Sequence, residues 1–474
     1  MMNKPLFFTL LSALWLFGCH PDHLDLLPPL EDPSLMEKKL TIEQMHQDIG
    51  AFVTGVLERH PELDAYADMG SLKAAVKEAK AEITQPLLRT DFYRIAGRLN
   101  HHLNDGHSFL IWPYQEYKQL KEDGHTPFPF DVVISQQGAI YLKYDYQSGK
   151  QKLAAGSQIL TINGVPASSL VSTLQQYSGG ESRRLREQVV AKRFALSLWA
   201  VFGFIDSFEL EIDNRPASLA ITQVAITKDQ SWQRVSADSN EQQGEHYYKQ
   251  LQAGVGLLYL AHFDIEPNKF EDFIDGAFAE IKRDQIHSLI IDIRDNPGGN
   301  TDTVTYLSRY LADKPFRLVS SVQEKLNRDN RGWFNYKGEV GELITTQWQE
   351  WETPIETEQR FKGEVYLLVG PITYSAAIVL ATTLKDHQFA TLVGEKTGGF
   401  ANQTAQGNLF NLPHSKLRAY VTTRTLIRPS GDIERRSVEP HHVVNRSVDD
   451  IKKQRDAGIA RALTLIEEKQ ANDA

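Results

Sequence analysis

Glu364-Val-Tyr-Leu-Leu-Val-Gly-Pro-Ile-Thr-Tyr-Ser-Ala-Ala-Ile-Val-Leu-Ala-Thr-Thr-Leu-Lys-Asp386 is the stretch on which the architecture turns. Residues 365–369 form a short run of β-formers closed by Gly370-Pro371, and predict a buried strand. Ile378, Val379, Leu380, Ala381 and Leu384 follow at helical spacing, among good helix formers on most faces. Ser375 falls where strand gives way to helix, at the positive end of the helix dipole and beside the unpaired N–H groups of its first turn. Those groups suit an alkoxide and a tetrahedral oxyanion. Serine is also a favoured N-cap, so a purely structural role stays open at this point.

Working outward, Leu289-Ile-Ile-Asp-Ile-Arg-Asp-Asn-Pro-Gly-Gly-Asn300 repeats the design, a buried strand running through a glycine turn into a helix. Glycines there let backbone N–H groups approach a ligand with no side chain in the way. Gly298 and Gly299 are therefore candidate oxyanion donors, and a merely structural turn fits the same residues. Phosphate is the rival ligand, but neither Gly-Lys-Ser/Thr nor G-x-G-x-x-G is present. Strands and helices alternate from residue 246 to 448, which predicts an α/β core, and an amphipathic helix over 449–469 closes the chain. The paired glycines of Glu395-Lys-Thr-Gly-Gly-Phe-Ala-Asn402 suggest a flexible loop, and the stretch holding Trp333, Trp348 and Trp351 reads as irregular.

Residues 36–111 carry apolar side chains at spacings of three and four over 40–57, 72–83 and 90–103, punctuated by Pro61 and Pro86, and predict a helical domain. The last helix breaks at Asn104-Asp-Gly-His-Ser108, where Asp105-Gly106 is turn chemistry, so His107 stands on or just after a tight turn. Residues 127–227 predict a β-rich domain, interrupted by helices over 168–177 and 185–199. Within it Gly156-Ser-Gln-Ile-Leu-Thr-Ile-Asn-Gly164 resembles a segment of PDZ-like domains, which bind extended peptide ends by strand addition. A packing domain with no binding role fits equally. Residues 228–245 are polar and without period, and read as a linker.

A chain of 474 residues suggests two to four domains. A net charge of -10 without a basic stripe argues against nucleic-acid binding. Lys4 precedes an apolar run over 5–17 that is too short to span a membrane, so 1–18 has the pattern of a secretory signal. It ends at Leu16-Phe-Gly-Cys19, which resembles a bacterial lipobox. Cys19 is the only cysteine, so its thiol is free for lipid attachment and residues 19–35 would act as a tether. We expect a lipoprotein of the bacterial cell envelope, on the periplasm-facing outer membrane; ordinary cleavage with a spare cysteine is the alternative.

Asp292-Ile-Arg-Asp-Asn-Pro-Gly-Gly299, Thr373-Tyr-Ser-Ala-Ala377 and Gly394-Glu-Lys-Thr-Gly-Gly399, in that order, resemble the tail-specific (C-terminal processing) serine peptidase family. Asn104-Asp-Gly-His-Ser108 resembles the D-G-H-T segment of that family's tricorn-like and retinoid-binding-protein-like branch, and Val438-Glu-Pro440 its G-V-x-P-D close. The resemblance covers about residues 40–444. It implies an α/β multidomain fold: a ClpP/crotonase-like catalytic core with an N-terminal helical segment and the PDZ-like β-rich domain. It also implies Ser375 as nucleophile. The lysine base of one subgroup falls on Phe400, and Lys396 sits on a variable position, so the match is to the branch with a histidine base, here His107. A neutral imidazole can take the serine proton and return it to a leaving group. Glu434 matches the position of the third member, with Asp432 and Glu439 as neighbours in sequence; His262 and His387 are the other candidate bases. The oxyanion donors would be the N–H of Ala376 and of Gly298 or Gly299. Two positions depart from the family pattern, Ile378 in place of a common Glu and His441 in place of an Asp.

The resemblance implies a serine endopeptidase acting on polypeptide. The alternative is a non-catalytic ligand-binding protein on the same scaffold. An α/β-hydrolase esterase would need G-x-S-x-G around Ser375, which is absent. There is no H-E-x-x-H, and we expect neither metal nor cofactor.

Overall fold

Strands apolar at nearly every position suit a sheet covered on both faces. The computed structural model describes residues 28–214, 221–228, 230–235 and 246–473. In it Ser288–Asp292 and Glu364–Val369 lie parallel at the centre of a six-stranded sheet. The order is Tyr247–Gln252, Val255–Tyr259, Ser288–Asp292, Glu364–Val369, Thr391–Gly394, His442–Val443, parallel except for the first pair. Alternation along each strand assigns the faces. Leu289, Ile291, Val365, Leu367 and Val369 pack with helices Pro267–Arg283, Thr301–Leu311 and Ala376–Asp386. Ile290, Tyr366 and Leu368 meet Ala462 and Ile466 of helix Ala457–Asp473 on the other side. Helix Ala376–Asp386 is buried over its first nine residues, which is why its sequence lacks a polar stripe.

A second sheet brings the N-terminal region to this core. Its long strand Arg418–Ile427 pairs antiparallel with Gln403–Asn411, with Ser321–Lys325, and with the two-residue strand Phe109–Leu110. The buried Asn100 grips Leu110 twice, accepting from its N–H at 2.7 Å and donating to its carbonyl at 3.0 Å. Helix Ile42–Arg59 covers the sheet through Met45, Ile49 and Phe52, which share a cluster with Leu417, Ala419 and Val421. The turn that carries His107 is thus fixed to the α/β core across more than 250 residues of sequence.

The β-rich region has its own core, with Ile134, Ile159, Leu170 and Leu210 fully buried. Asn163 and Gly164 both have positive φ, 50° and 75°, as the Asn-Gly pair predicts for a type I′ turn.

Several elements differ from the sequence expectation. The helix over 185–199 is two, Arg183–Lys192 and Phe194–Phe202, parted at Arg193 (φ -117°, ψ 30°). The closing helix is also two, Val448–Lys452 and Ala457–Asp473, because Asp456 caps the second, accepting from Ile459 N–H at 2.9 Å. Asp456 also takes the Arg294 fork at 2.8 and 2.7 Å. The Trp-rich stretch holds a strand, Leu343–Gln347, paired with Ser321–Lys325. Part of the presumed linker is strand Gln233–Val235, paired with Asp145–Ser148. The signal segment, Cys19 and the first part of the tether lie outside the described residues. Among the described residues no helix is long and apolar enough to cross a membrane.

Candidate active site

Ser375 occupies the N-cap position of helix Ala376–Asp386, yet its side chain makes no capping bond. Its backbone sits at φ 54° and ψ -123°, a region that costs an L-residue about 1–3 kcal/mol. Neighbours hold it there. Thr373 Oγ1 donates to the Ile293 carbonyl at 2.8 Å and accepts from Gly370 N–H at 2.9 Å. Tyr374 N–H donates to the Asn296 carbonyl at 3.1 Å, and Gln403 Nε2 donates to the Ser375 carbonyl at 2.9 Å. A simple cap needs none of this.

The glycine turn lies directly against the nucleophile candidate. A Cβ on Gly298 would come within 2.7 Å of Ser375 Cβ and 2.9 Å of Ala376 N, so only glycine fits. Gly299 is required for a different reason, since a Cβ would run into the backbone of Phe263. Gly298 N–H donates to Asn296 Oδ1 at 2.8 Å, and Asn296 Nδ2 donates to the Leu260 carbonyl at 3.1 Å.

His107 reaches the same place from the N-terminal region. Its ring stacks on Tyr374, the residue before Ser375, with centroids 4.7 Å apart. Its Nδ1 is 3.2 Å from Thr404 Oγ1 and 3.1 Å from the Tyr374 hydroxyl. Thr404 donates to Asp105 Oδ1 at 2.6 Å, and the same oxygen accepts His107 N–H at 2.9 Å. A hydroxyl that has given its proton to a carboxylate can only accept from Nδ1, which puts the ring proton on Nδ1 and the lone pair on Nε2. Burial lowers the His107 pKa to about 4, with Asp105 opposing, so the imidazole is neutral near pH 7. Burial alone would raise the Asp105 pKa. A hydrogen bond from His60, the facing His60 and His107 rings and the Ser108 hydroxyl outweigh it and hold the carboxyl below its ordinary range. His60 Nε2 lies 3.2 Å from Asp105 Oδ2, both side chains fully buried.

The other sequence candidates fall elsewhere. The Glu434 side chain is two-thirds exposed and pairs with Arg436 at 2.9 Å; the carboxylate linked to His107 through the Thr404 hydroxyl is that of Asp105. Asp432 pairs with Arg436 at 2.7 Å, and Glu439 is exposed. His262 packs beside His246 with the rings tilted at 53°, and His387 lies at the far end of the helix that Ser375 begins. Lys396 is exposed, and Phe400 packs on Tyr66. The glycines expected to loosen the 395–402 loop do the opposite. A Cβ on Gly399 would come within 2.5 Å of the Tyr374 ring, so these glycines permit close packing. Sequence reasoning missed Asp105, Thr404, Tyr374, Asn296 and Gln403. Only Asp105 carried a signal, as a carboxylate two residues from a candidate base. Among the described residues no group of three or more His, Cys, Asp and Glu side chains could hold a metal ion.

Residues 254–444, which include Ser375, the glycine turn, Gln403 and Thr404 but neither the His107 turn nor His60, match the family model for peptidase family S41. Over this segment the chain is similar to serine-type peptidases of family S41. The fold around it is also similar to solved structures. The crystal structure of mature CPAF superposes with a TM-score of 0.63 at 16% identity, covering 87% of this chain and 94% of that one. Mature CPAF complexed with lactacystin gives 0.62 at 16% identity, over 91% and 98%. The similarity in fold therefore extends well beyond residues 254–444, through the β-rich and helical regions, and makes the whole an α/β multidomain fold.

Proposed function

We propose that the chain is a serine endopeptidase of the histidine-base branch, cleaving polypeptide through an acyl-enzyme on Ser375. The observation that carries this is the Ser375 backbone, held in a costly conformation with its hydroxyl not spent on the helix. His107 Nε2 takes the Ser375 proton as Oγ attacks the scissile carbonyl, then hands it to the leaving amine. Water repeats the sequence in reverse and frees the acid. Ala376 N–H is one oxyanion donor. Because Gly298 N–H is committed to Asn296, we assign the second to Gly299. Asp105, through Thr404, takes the role first given to Glu434, holding the tautomer and stabilising the imidazolium.

A ClpP/crotonase-like core and a PDZ-like domain are part of the same proposal, supported by the central parallel sheet and by strand Gln158–Ile162 with its Asn-Gly turn. So are export and lipid attachment at Cys19 to the periplasm-facing outer membrane, supported by the apolar leader and the lipobox-like residues. Cys19→Ser is expected to release the protein from the membrane fraction; unchanged sedimentation would remove the anchor.

Ser375→Gly tests the peptidase directly. Glycine adopts this φ freely, so the variant is expected to gain about 1 kcal/mol of stability while losing all cleavage of denatured casein. A variant that is more stable and still cuts would refute the assignment. A wild type that binds casein without cutting would favour the ligand-binding alternative.

A further inference from the structure

One buried acid has no part in the mechanism above. Glu181 lies in the loop between the 3-10 turn Gln175–Tyr177 and helix Arg183–Lys192. The loop presses on the His107 turn, because Gly179 abuts the Asp105 carbonyl with no room for a Cβ. Glu181 Oε1 accepts from the Tyr374 hydroxyl at 2.9 Å, and the same hydroxyl is 3.1 Å from His107 Nδ1. The second Glu181 oxygen is shut off from solvent. Tyr374 cannot swing away, since Gly106 and Gly399 both close on it too tightly to carry a side chain.

We propose that Glu181 is a positioning residue for His107, acting through the Tyr374 hydroxyl, and that its ionisation biases which imidazole nitrogen carries the proton. The chemistry follows from the single phenolic proton. Ionised Glu181 can only accept, so Tyr374 donates to it and must itself accept from Nδ1–H. The lone pair is then on Nε2, the productive tautomer. Protonated Glu181 can donate to Tyr374, whose own proton becomes free to turn to Nδ1. That form places the ring proton on Nε2, where it blocks the base. Asp105 and Thr404 oppose it, so the bias is partial.

Burial, reinforced by the negative charge of Asp105, pushes the Glu181 pKa up to about 8. The groups facing it are Asp105 and Tyr66 from the N-terminal region, Tyr374 and His107 in the site, and Arg186 of helix Arg183–Lys192, whose charge opposes the rise. His60 on Asp105 and Arg435 over Tyr66 stand one contact further out.

The inference rests on His107 being the base, and nitrogen NMR of histidine-labelled protein separates the two. In the wild type the His107 ring shifts are expected to move toward the Nδ1–H form with a midpoint near pH 8, and kcat/KM to rise about three- to tenfold over the same range. Glu181→Gln, a neutral isostere, is expected to lose both transitions while keeping the fold. Tyr374→Phe is expected to lose the NMR midpoint as well. Wild-type shifts that do not move near pH 8, or a midpoint retained in either variant, would overturn the proposal. A wild type whose shifts move as expected but which cuts nothing would refute the peptidase and leave the Glu181 linkage standing.

Discussion

His107→Ala is expected to lower kcat/KM for peptide hydrolysis by about a thousandfold or more, with folding retained. Among the described residues no other imidazole stacks on Tyr374, and the rival histidines lie beside His246 and at the far end of the nucleophile helix. Without a base, the Ser375 hydroxyl attacks as an ordinary alcohol, and only the oxyanion donors and substrate binding remain. The wild-type acid limb follows from burial of the ring. With a pKa lowered to about 4, His107 stays neutral through mildly acid pH, and the activity left below the Glu181 transition is lost only near that value. The same burial couples to stability. The unfolded chain takes up this proton at the ordinary value of about 6.5, so stability is full above that pH. It declines as pH falls toward about 4. A pH titration of unfolding in wild type and His107→Ala should show the difference over that window.

Asp105→Asn is expected to cost about 10²- to 10⁴-fold in kcat with KM little changed. An amide at this position can donate to Thr404, which frees the Thr404 proton to turn toward Nδ1 and stabilises the wrong tautomer. The buried His60 also loses its carboxylate partner, so a measurable loss of stability accompanies the kinetic one. Glu434→Gln provides the contrast. Its side chain is exposed and paired with Arg436, and the change is expected to alter kcat by less than about threefold. Kinetics of the two variants with one peptide substrate would settle their order. A severe loss in Glu434→Gln with a mild one in Asp105→Asn would return the third role to Glu434.

The layered core was legible because its signals are local. Ile290 and Leu289 face opposite ways by the period of a strand, and both are apolar because both faces are covered. The Asn163-Gly164 turn was legible for the same reason. Elements whose limits depend on a distant partner were not. Helix Ala457–Asp473 begins where Asp456 meets Arg294, a contact 162 residues long that no window contains. The site divides in the same way. Ser375 and the glycine turn announce themselves by type and place, whereas Thr404 acquires its role only because Arg418–Ile427 carries strand Gln403–Asn411 and the His107 turn together. Glu181 had no signal at all, being one glutamate in a loop until Tyr374 reaches it.

The most direct test is to treat the folded protein with a fluorophosphonate and locate the adduct by mass spectrometry. A positioned hydroxyl with an imidazole base gives one adduct, on Ser375, formed about a thousandfold more slowly in His107→Ala. A wild type that stays unlabelled, or a His107→Ala variant labelled on Ser375 as fast as the wild type, would contradict the pairing of these two residues.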